Sequence, residues 1–184
     1  MSKLVAGEAH PPLRLLRAAA TSAAMSSTVT VREATAADES AMGRLGEMLV
    51  EEHHRFDPLR FIAALPATRE RYGRFLASQL SRPEMVVLVA EREGEVVGYA
   101  YAGMEGNDYM ALRGPAGALY DLVVDPAHRR QRVGTALLDA ALAALSKLGA
   151  PRVVLFTAEK NHGAQAMFEG ARFRRTMIEM TREL

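Results

Sequence analysis

Three arginines and a glutamine fill four consecutive positions, Arg129, Arg130, Gln131 and Arg132, and Val133, Gly134, Thr135 and Ala136 follow directly. Upstream lies the apolar run Leu122, Val123 and Val124, closed by Asp125-Pro126; downstream the chain is rich in Ala and Leu at helical spacing. Positive charge and a glycine between a strand and a helix start suit an anion. The first turn of a helix has unpaired N–H donors and a partial positive charge. A glycine there lets a ligand approach the backbone closely, and arginine forks onto phosphate oxygens. The nucleotide patterns GxxxxGK[ST] and GxGxxG are both absent. Spacing alone leaves two readings open: a phosphate site, or a solvated basic turn that only caps a helix.

Other residues capable of chemistry lie elsewhere. Glu51-Glu52-His53-His54 ends a helical stretch. Adjacent histidines point to different faces of a helix, so they make a poor metal pair and no metal site is expected; a surface role is the default. Glu105, Asn107, Asp108 and Tyr109 fall in a polar, Gly-rich stretch over 104–117, long for a simple hairpin loop. The absence of cysteine removes disulfides, thiolate metal ligands and a Cys nucleophile. With 23 Lys and Arg against 22 Asp and Glu, the net charge is +1, so no global basic field points to nucleic acid. Arg129 to Arg132 also lack the aromatic platforms and wider basic stripe of a nucleic-acid binder. No apolar run approaches a membrane span of about 18 residues. The expectation is a cytoplasmic protein without nucleic-acid or membrane partners.

The elements that must position these residues follow from periodicity. Residues 28–34 alternate and are rich in Val and Thr, a strand. Thr35 to Asp38 resembles a capping box, and Met42, Leu45, Met48 and Leu49 predict an amphipathic helix over 37–54. Tyr72, Phe75, Leu76 and Leu80 predict a second helix over 69–80. Strands are expected over 85–91 and 96–103, joined as a hairpin through Glu93-Gly94-Glu95, and over 118–124. A helix runs from Gly134 until Gly149-Ala150-Pro151 stops it. A buried strand over 152–157, a short helix over 161–169 and a last strand over 173–180 complete the order β-α-α-β-β-β-α-β-α-β, a mixed sheet with helices packed on it. Met177, Ile178 and Met180 in that last strand read as core or dimer surface.

Length predicts one domain over 28–184 plus an N-terminal extension over 1–27. Lys3, Arg14 and Arg17 face a single acid, Glu8, in the first 25 residues, a composition shared with organelle transit peptides. The favoured expectation is a disordered, dispensable extension with Met25 as the functional start.

The stretch 124–138, and within it Gln131-Arg132-Val133-Gly134-Thr135-Ala136, resembles the [R/Q]-x-x-G-x-[G/A] acyl-CoA loop of GCN5-related N-acetyltransferases, the GNAT superfamily. Asn161, Ala164, Met167, Phe168, Glu169 and Phe173 resemble that family's last conserved helix, N-x-x-A-x-x-L-Y-E-x-x-G-F. The element order agrees, and the resemblance covers residues 28–184. It implies an α/β fold with a mixed, largely antiparallel central sheet flanked by helices. It further implies that acetyl-CoA is the cosubstrate. Its diphosphate would sit on the amides of Gln131 to Ala136, with Arg129 and Arg130 adding charge. Its pantetheine arm would run beside Leu122, Val123 and Val124, near Asn161 and Phe168. A splay between that strand and the one over 152–157 would admit the thioester.

Acetyl transfer to an amine needs a base, because amines are mostly protonated at neutral pH. By the resemblance, Asp121 aligns with the second acid of an E-D-[IF]-x-V pattern and is the candidate base or substrate ligand; the alternative is a structural acid. Tyr120 replaces the first acid and is a candidate proton donor. The family's usual donor, a Tyr seven residues after the Asn, is here Phe168, which has no proton to give. Arg172 stands where the family has Gly before Phe, and Gly170 is expected to end the helix instead. His53, His54, Glu105 and Asp108 are candidate acceptor contacts. The implied function is direct acetyl transfer in a ternary complex to a primary amine of a small molecule. The local acids favour a cationic, polyamine- or aminoglycoside-like acceptor. The alternatives are acetylation of a protein N-terminus or lysine, and a non-catalytic acyl-CoA-binding module. A homodimer is common in the resembling family.

Overall fold

A computed structural model describes residues 28–184; the expected extension over 1–27 lies outside them. Five strands form one sheet in the order β1-β2-β3-β4-β5. They are β1 (Thr30–Glu33), β2 (Met85–Arg92), β3 (Glu95–Glu105), β4 (Ala116–Val124) and β5 (Val153–Leu155). The first four are antiparallel neighbours, and β5 joins β4 in parallel. Helices α1 (Glu39–Phe56) and α2 (Thr68–Gln79) cover one face. Helix α3 (Val133–Lys147), which crosses from β4 to β5, covers the other together with α4 (His162–Gly170).

Each face has its own core. Leu137, Leu138, Ala141 and Leu145 of α3 bury against Val86, Leu88, Ala100 and Ala102. Met42 and Leu45 of α1 and Leu76 of α2 bury against Val87, Val89, Tyr99 and Tyr101. The alternation along β2 and β3 assigns neighbouring residues to opposite cores, as a sheet covered on both faces requires. Truncating any one of the fully buried leucines, such as Leu45 or Leu137, would cost about 2–5 kcal/mol.

The last predicted strand is not formed. Residues 173–184 have no regular structure, and Met177, Ile178 and Met180 are exposed, so they are not core. A strand needs a ladder partner, and the alternation over 173–180 reports only local preference. Side chains tie this segment down instead: Arg175 bonds Glu169 and Gln165, and Arg60 pairs with Glu179. The strand predicted over 152–157 is shorter than expected, three residues of intermediate burial. Gly170 does not end α4 in a left-handed turn. The helix runs through it, and Arg172 itself takes the positive φ of 69°.

Candidate active site

Strands β4 and β5 pair only over Gly117↔Val153, Ala118↔Val154 and Leu119↔Leu155. Beyond Leu119, β4 continues to Val124 with β3 on one side and, among the described residues, no strand on the other. The edge from Tyr120 to Val124 is therefore open to an extended molecule, which can pair with backbone as an added strand would. A cavity of about 250 Å³ opens at this split, walled by Leu119 to Leu122, Leu155 to Thr157, Leu49, Val50 and His53 of α1, Phe61 and Ile62, and Ala164 and Phe168 of α4.

A β-bulge sets the direction of the key carboxylate. Tyr101 faces Asp121 and Ala102 faces Leu119, so Tyr120 is the extra residue. A bulge re-aims the side chains that follow it. Leu119 packs with the α3 core, whereas Val123 packs with the α1–α2 core, although regular alternation would put them on one face. Asp121 thus turns toward α2 and the cavity.

There it accepts two phenolic hydrogen bonds on the same oxygen. Tyr72 donates to Oδ2 at 2.7 Å and Tyr99 at 3.0 Å. Tyr72 reaches it because α1 and α2 cross closely: Gly43 and Gly73 bring the backbones together, and Gly46 leaves the space the Tyr72 ring fills. Burial pushes the Asp121 carboxyl above its ordinary pKa, while the hydrogen bonds from the two hydroxyls act in the opposite direction. Burial and the neighbouring carboxylate raise both tyrosines, so their hydroxyls stay protonated and remain donors. Sequence reasoning missed Tyr72 and Tyr99. The one available signal was Tyr99 and Tyr101 on alternate positions of a strand otherwise built from small and apolar residues.

Of the residues singled out from sequence, Asp121, Tyr120, Leu122, His53 and Phe168 meet around the cavity. Tyr120 donates its hydroxyl to Glu105 at 2.9 Å, and its pKa is raised chiefly by burial. The Nδ1 of His53 lies 2.9 Å from the Leu49 carbonyl; a carbonyl only accepts, so Nδ1 carries a proton, and in the uncharged form of the ring Nε2 is the acceptor. His54 does not line the cavity. It ties the Phe61 carbonyl at 2.9 Å and so anchors the loop after α1. Asp108 accepts from the Met110 and Ala111 amides within its own loop. Phe168 is buried against Phe173 in the α3-side core.

At the other end of the split stands the start of α3. Among the described residues no side chain caps it, so the first-turn amides of Val133, Gly134 and Thr135 have no capping partner there. Arg130 and Arg132 both adopt positive φ, 59° and 65°, a conformation costly for arginine and typical of backbone shaped for a ligand. Both are exposed, and neither makes an ion pair among the described residues. Arg129 differs: it forks onto Glu52 of α1 at 2.7 and 2.6 Å and bonds the Val124 carbonyl. Gln131 bonds the Ala127 carbonyl. A Cβ on Gly134 would point at Met167, Val124 and Leu122, into the space between β4 and α4. Asn161 caps α4, accepting from the Ala164 amide at 3.2 Å.

A sheet that parts at its fourth and fifth strands, over an uncapped helix start and a buried carboxylate, is the architecture of the mixed α/β acyltransferases. Residues 47–172 match the model of the Acetyltransferase (GNAT) family, and the chain belongs to that family. Two mycothiol acetyltransferases are similar over about half of the chain. The protein from Thermobispora bispora is 35% identical over 96 residues, which are 50% of this chain and 31% of that protein. The one from Sanguibacter keddieii is 34% identical over 94 residues, again 50% of this chain and 29% of its own length. The chain thus spans about a third of the curated relatives it matches. Among solved structures, a mutant of the BH1408 protein from Bacillus halodurans superposes with a TM-score of 0.73 at 20% identity, covering 84% of this chain and 99% of its own. Glucosamine-6-phosphate N-acetyltransferase from Arabidopsis thaliana gives 0.62 at 19% identity, covering 85% of this chain and 98% of its own. At these identities the likeness is one of fold. Among the described residues no helix is long and apolar enough to cross a membrane.

Proposed function

We propose that the chain is an acetyl-CoA-dependent N-acetyltransferase acting on a primary amine of a small molecule. The observation that carries this reading is the split beyond Leu119↔Leu155, where an open strand edge and a part-buried carboxylate meet at a cavity and the uncapped start of α3 lies beside Leu122 and Val124 of the same strand. The residues fit the cosubstrate. The amides of Val133 to Thr135 suit a diphosphate, the missing side chain of Gly134 lets the start of α3 lie close against Met167, Val124 and Leu122, and the β4 edge offers backbone to pair with an extended arm. Acetyl-CoA supplies a thioester carbonyl open to attack.

The protein's part is to position the amine and remove its proton. Asp121 binds the ammonium, takes a proton through direct contact or a water, and leaves a neutral nitrogen facing the cleft. His53, with Nε2 unprotonated, passes that proton outward. The open backbone of β4 donates to the oxygen that gains charge. The C–S bond then breaks and CoA leaves as a thiolate, which takes up the second proton shed by the acylated nitrogen, because Phe168 has no proton to offer and the Tyr120 hydroxyl reaches the leaving group only by giving up Glu105. Direct transfer is expected, with no acyl-enzyme on cysteine, since the chain has none.

The test is free-thiol release from acetyl-CoA with a panel of amines. Asp121→Asn is expected to lower kcat/KM by roughly 10²-fold or more, the usual size of general-base catalysis, with acetyl-CoA affinity unchanged. Gly134→Glu is expected to abolish acetyl-CoA binding by calorimetry. Failure of the unmodified protein to bind acetyl-CoA would overturn the reading.

A further inference from the structure

Of the acids that could hold a polycationic acceptor outside the cavity, Glu51 is exposed and does not line it, and the others are already engaged. Glu52 is forked by Arg129. Glu105 pairs with Arg113 and accepts the Tyr120 hydroxyl. Asp108 accepts two amides of its own loop and faces Arg113 at 3.6 Å. Among the residues that line the cavity, Asp121 is the one carboxylate.

The rest of the wall is mostly apolar. Leu49, Val50, Phe61 and Leu155 line the interior, and Ile62 and Phe156 continue it to the mouth, where they are 80% and 85% exposed. Exposed apolar side chains that run on from a cavity mark a surface that some ligand covers. A polyamine or aminoglycoside brings several ammonium groups. One of them would find Asp121, and each of the others would lose hydration against apolar walls without a partner. A single amine on an apolar body meets no such penalty. Its charge pairs with Asp121, and its body removes Ile62, Phe61 and Phe156 from water.

Resting on the acetyltransferase reading above, we propose that the acceptor is a small primary monoamine with an aromatic or branched-aliphatic body and no second cationic group. This reverses the expectation of a polyamine- or aminoglycoside-like acceptor, which rested on Glu51, Glu52, Glu105, Asp108 and Asp121 together; of these, Asp121 alone lines the cavity.

The experiment compares kcat/KM with acetyl-CoA for phenethylamine, isoamylamine, spermidine, neamine and a short peptide with a free N-terminus. Binding of each amine is measured by calorimetry in the presence of CoA. The monoamines are expected to exceed spermidine and neamine by at least tenfold. Ile62→Glu, a change at an exposed position, is expected to shrink or invert that ratio, because it gives a second cation a partner. A preference for spermidine, neamine or the peptide overturns the proposal and leaves acetyl transfer standing. If no amine turns over, monoamine binding no tighter than spermidine binding overturns it equally. Absence of acetyl-CoA binding removes the acetyltransferase reading, and this proposal with it.

Discussion

At the scale of residues, the site turns on how Asp121 is held. A carboxylate in an apolar cavity rises in pKa, which improves it as a base. The same burial favours its protonated, inactive form. Tyr72 and Tyr99 limit that loss by donating to Oδ2, since a hydrogen bond to the charged form favours that form. The base must be ionised, so kcat/KM rises with pH through the Asp121 pKa. Tyr72→Phe removes one donor, raises that pKa further, and moves the rising limb to higher pH. A limb that stays in place in Tyr72→Phe would assign the titration to another group. The aspartate could be picked out of its strand because its neighbours carry the acyl-CoA pattern. Its partners could not, since Tyr72 is 49 positions away and Tyr99 is 22. They arrive by a helix crossing and a sheet register that only the fold supplies.

At the scale of elements, local chemistry read well and long-range pairing did not. The strand–loop–helix unit around Gly134 was legible because an uncapped helix start is built by consecutive residues. The bulge at Tyr120 was not, because the run Leu119-Tyr120-Asp121-Leu122-Val123-Val124 carries no glycine or other break where the faces exchange. The strand expected over 173–180 failed for want of a ladder partner, although its residue types favour one. The end of α4 shows the same division. Glycine was expected to supply the left-handed residue, and Gly170 lay near enough to suggest it. The hydrogen bonds from the Arg172 amide to Glu169 and from the Phe173 amide to Phe168 place that residue at Arg172 instead. A left-handed arginine costs what a glycine avoids. Arg172→Gly is therefore expected to stabilise the protein by about 1 kcal/mol and to raise the melting temperature by roughly 2–4 °C in a chain of this size. Circular dichroism melts would check it, and a lower melting temperature would show that the arginine contributes more than its backbone costs.

At the scale of the whole molecule, ion pairs brace α1 against the sheet and the basic loop. Arg44 of α1 bonds Asp125 at 2.6 Å and the Val96 carbonyl at 3.2 Å, and Glu52 holds Arg129. At the other end of the helix, Arg32 of β1 forks onto Asp38 at 2.8 and 2.9 Å and reaches Glu91 of β2 at 3.0 Å. Asp38 is 5% exposed and also accepts the amide and hydroxyl of Thr35. The guanidinium and these donors hold its carboxyl down to about 2. A carboxyl depressed in the folded state contributes stability above its unfolded pKa, near 4, and that contribution is lost as pH falls toward the folded value. The contribution at neutral pH is on the order of 2 kcal/mol. The position of α1 over the cavity depends on the sheet it is fastened to, so this pair supports the site at a distance. Asp38→Asn is expected to lower the denaturation midpoint at pH 6, and the gap from the unmodified protein is expected to close as pH falls from 4 to 2. Denaturant titrations at pH 6, 4 and 2.5 measure it. A gap that stays constant across that range would mean that the hydrogen bonds of Asp38, and not its charge, secure the start of α1.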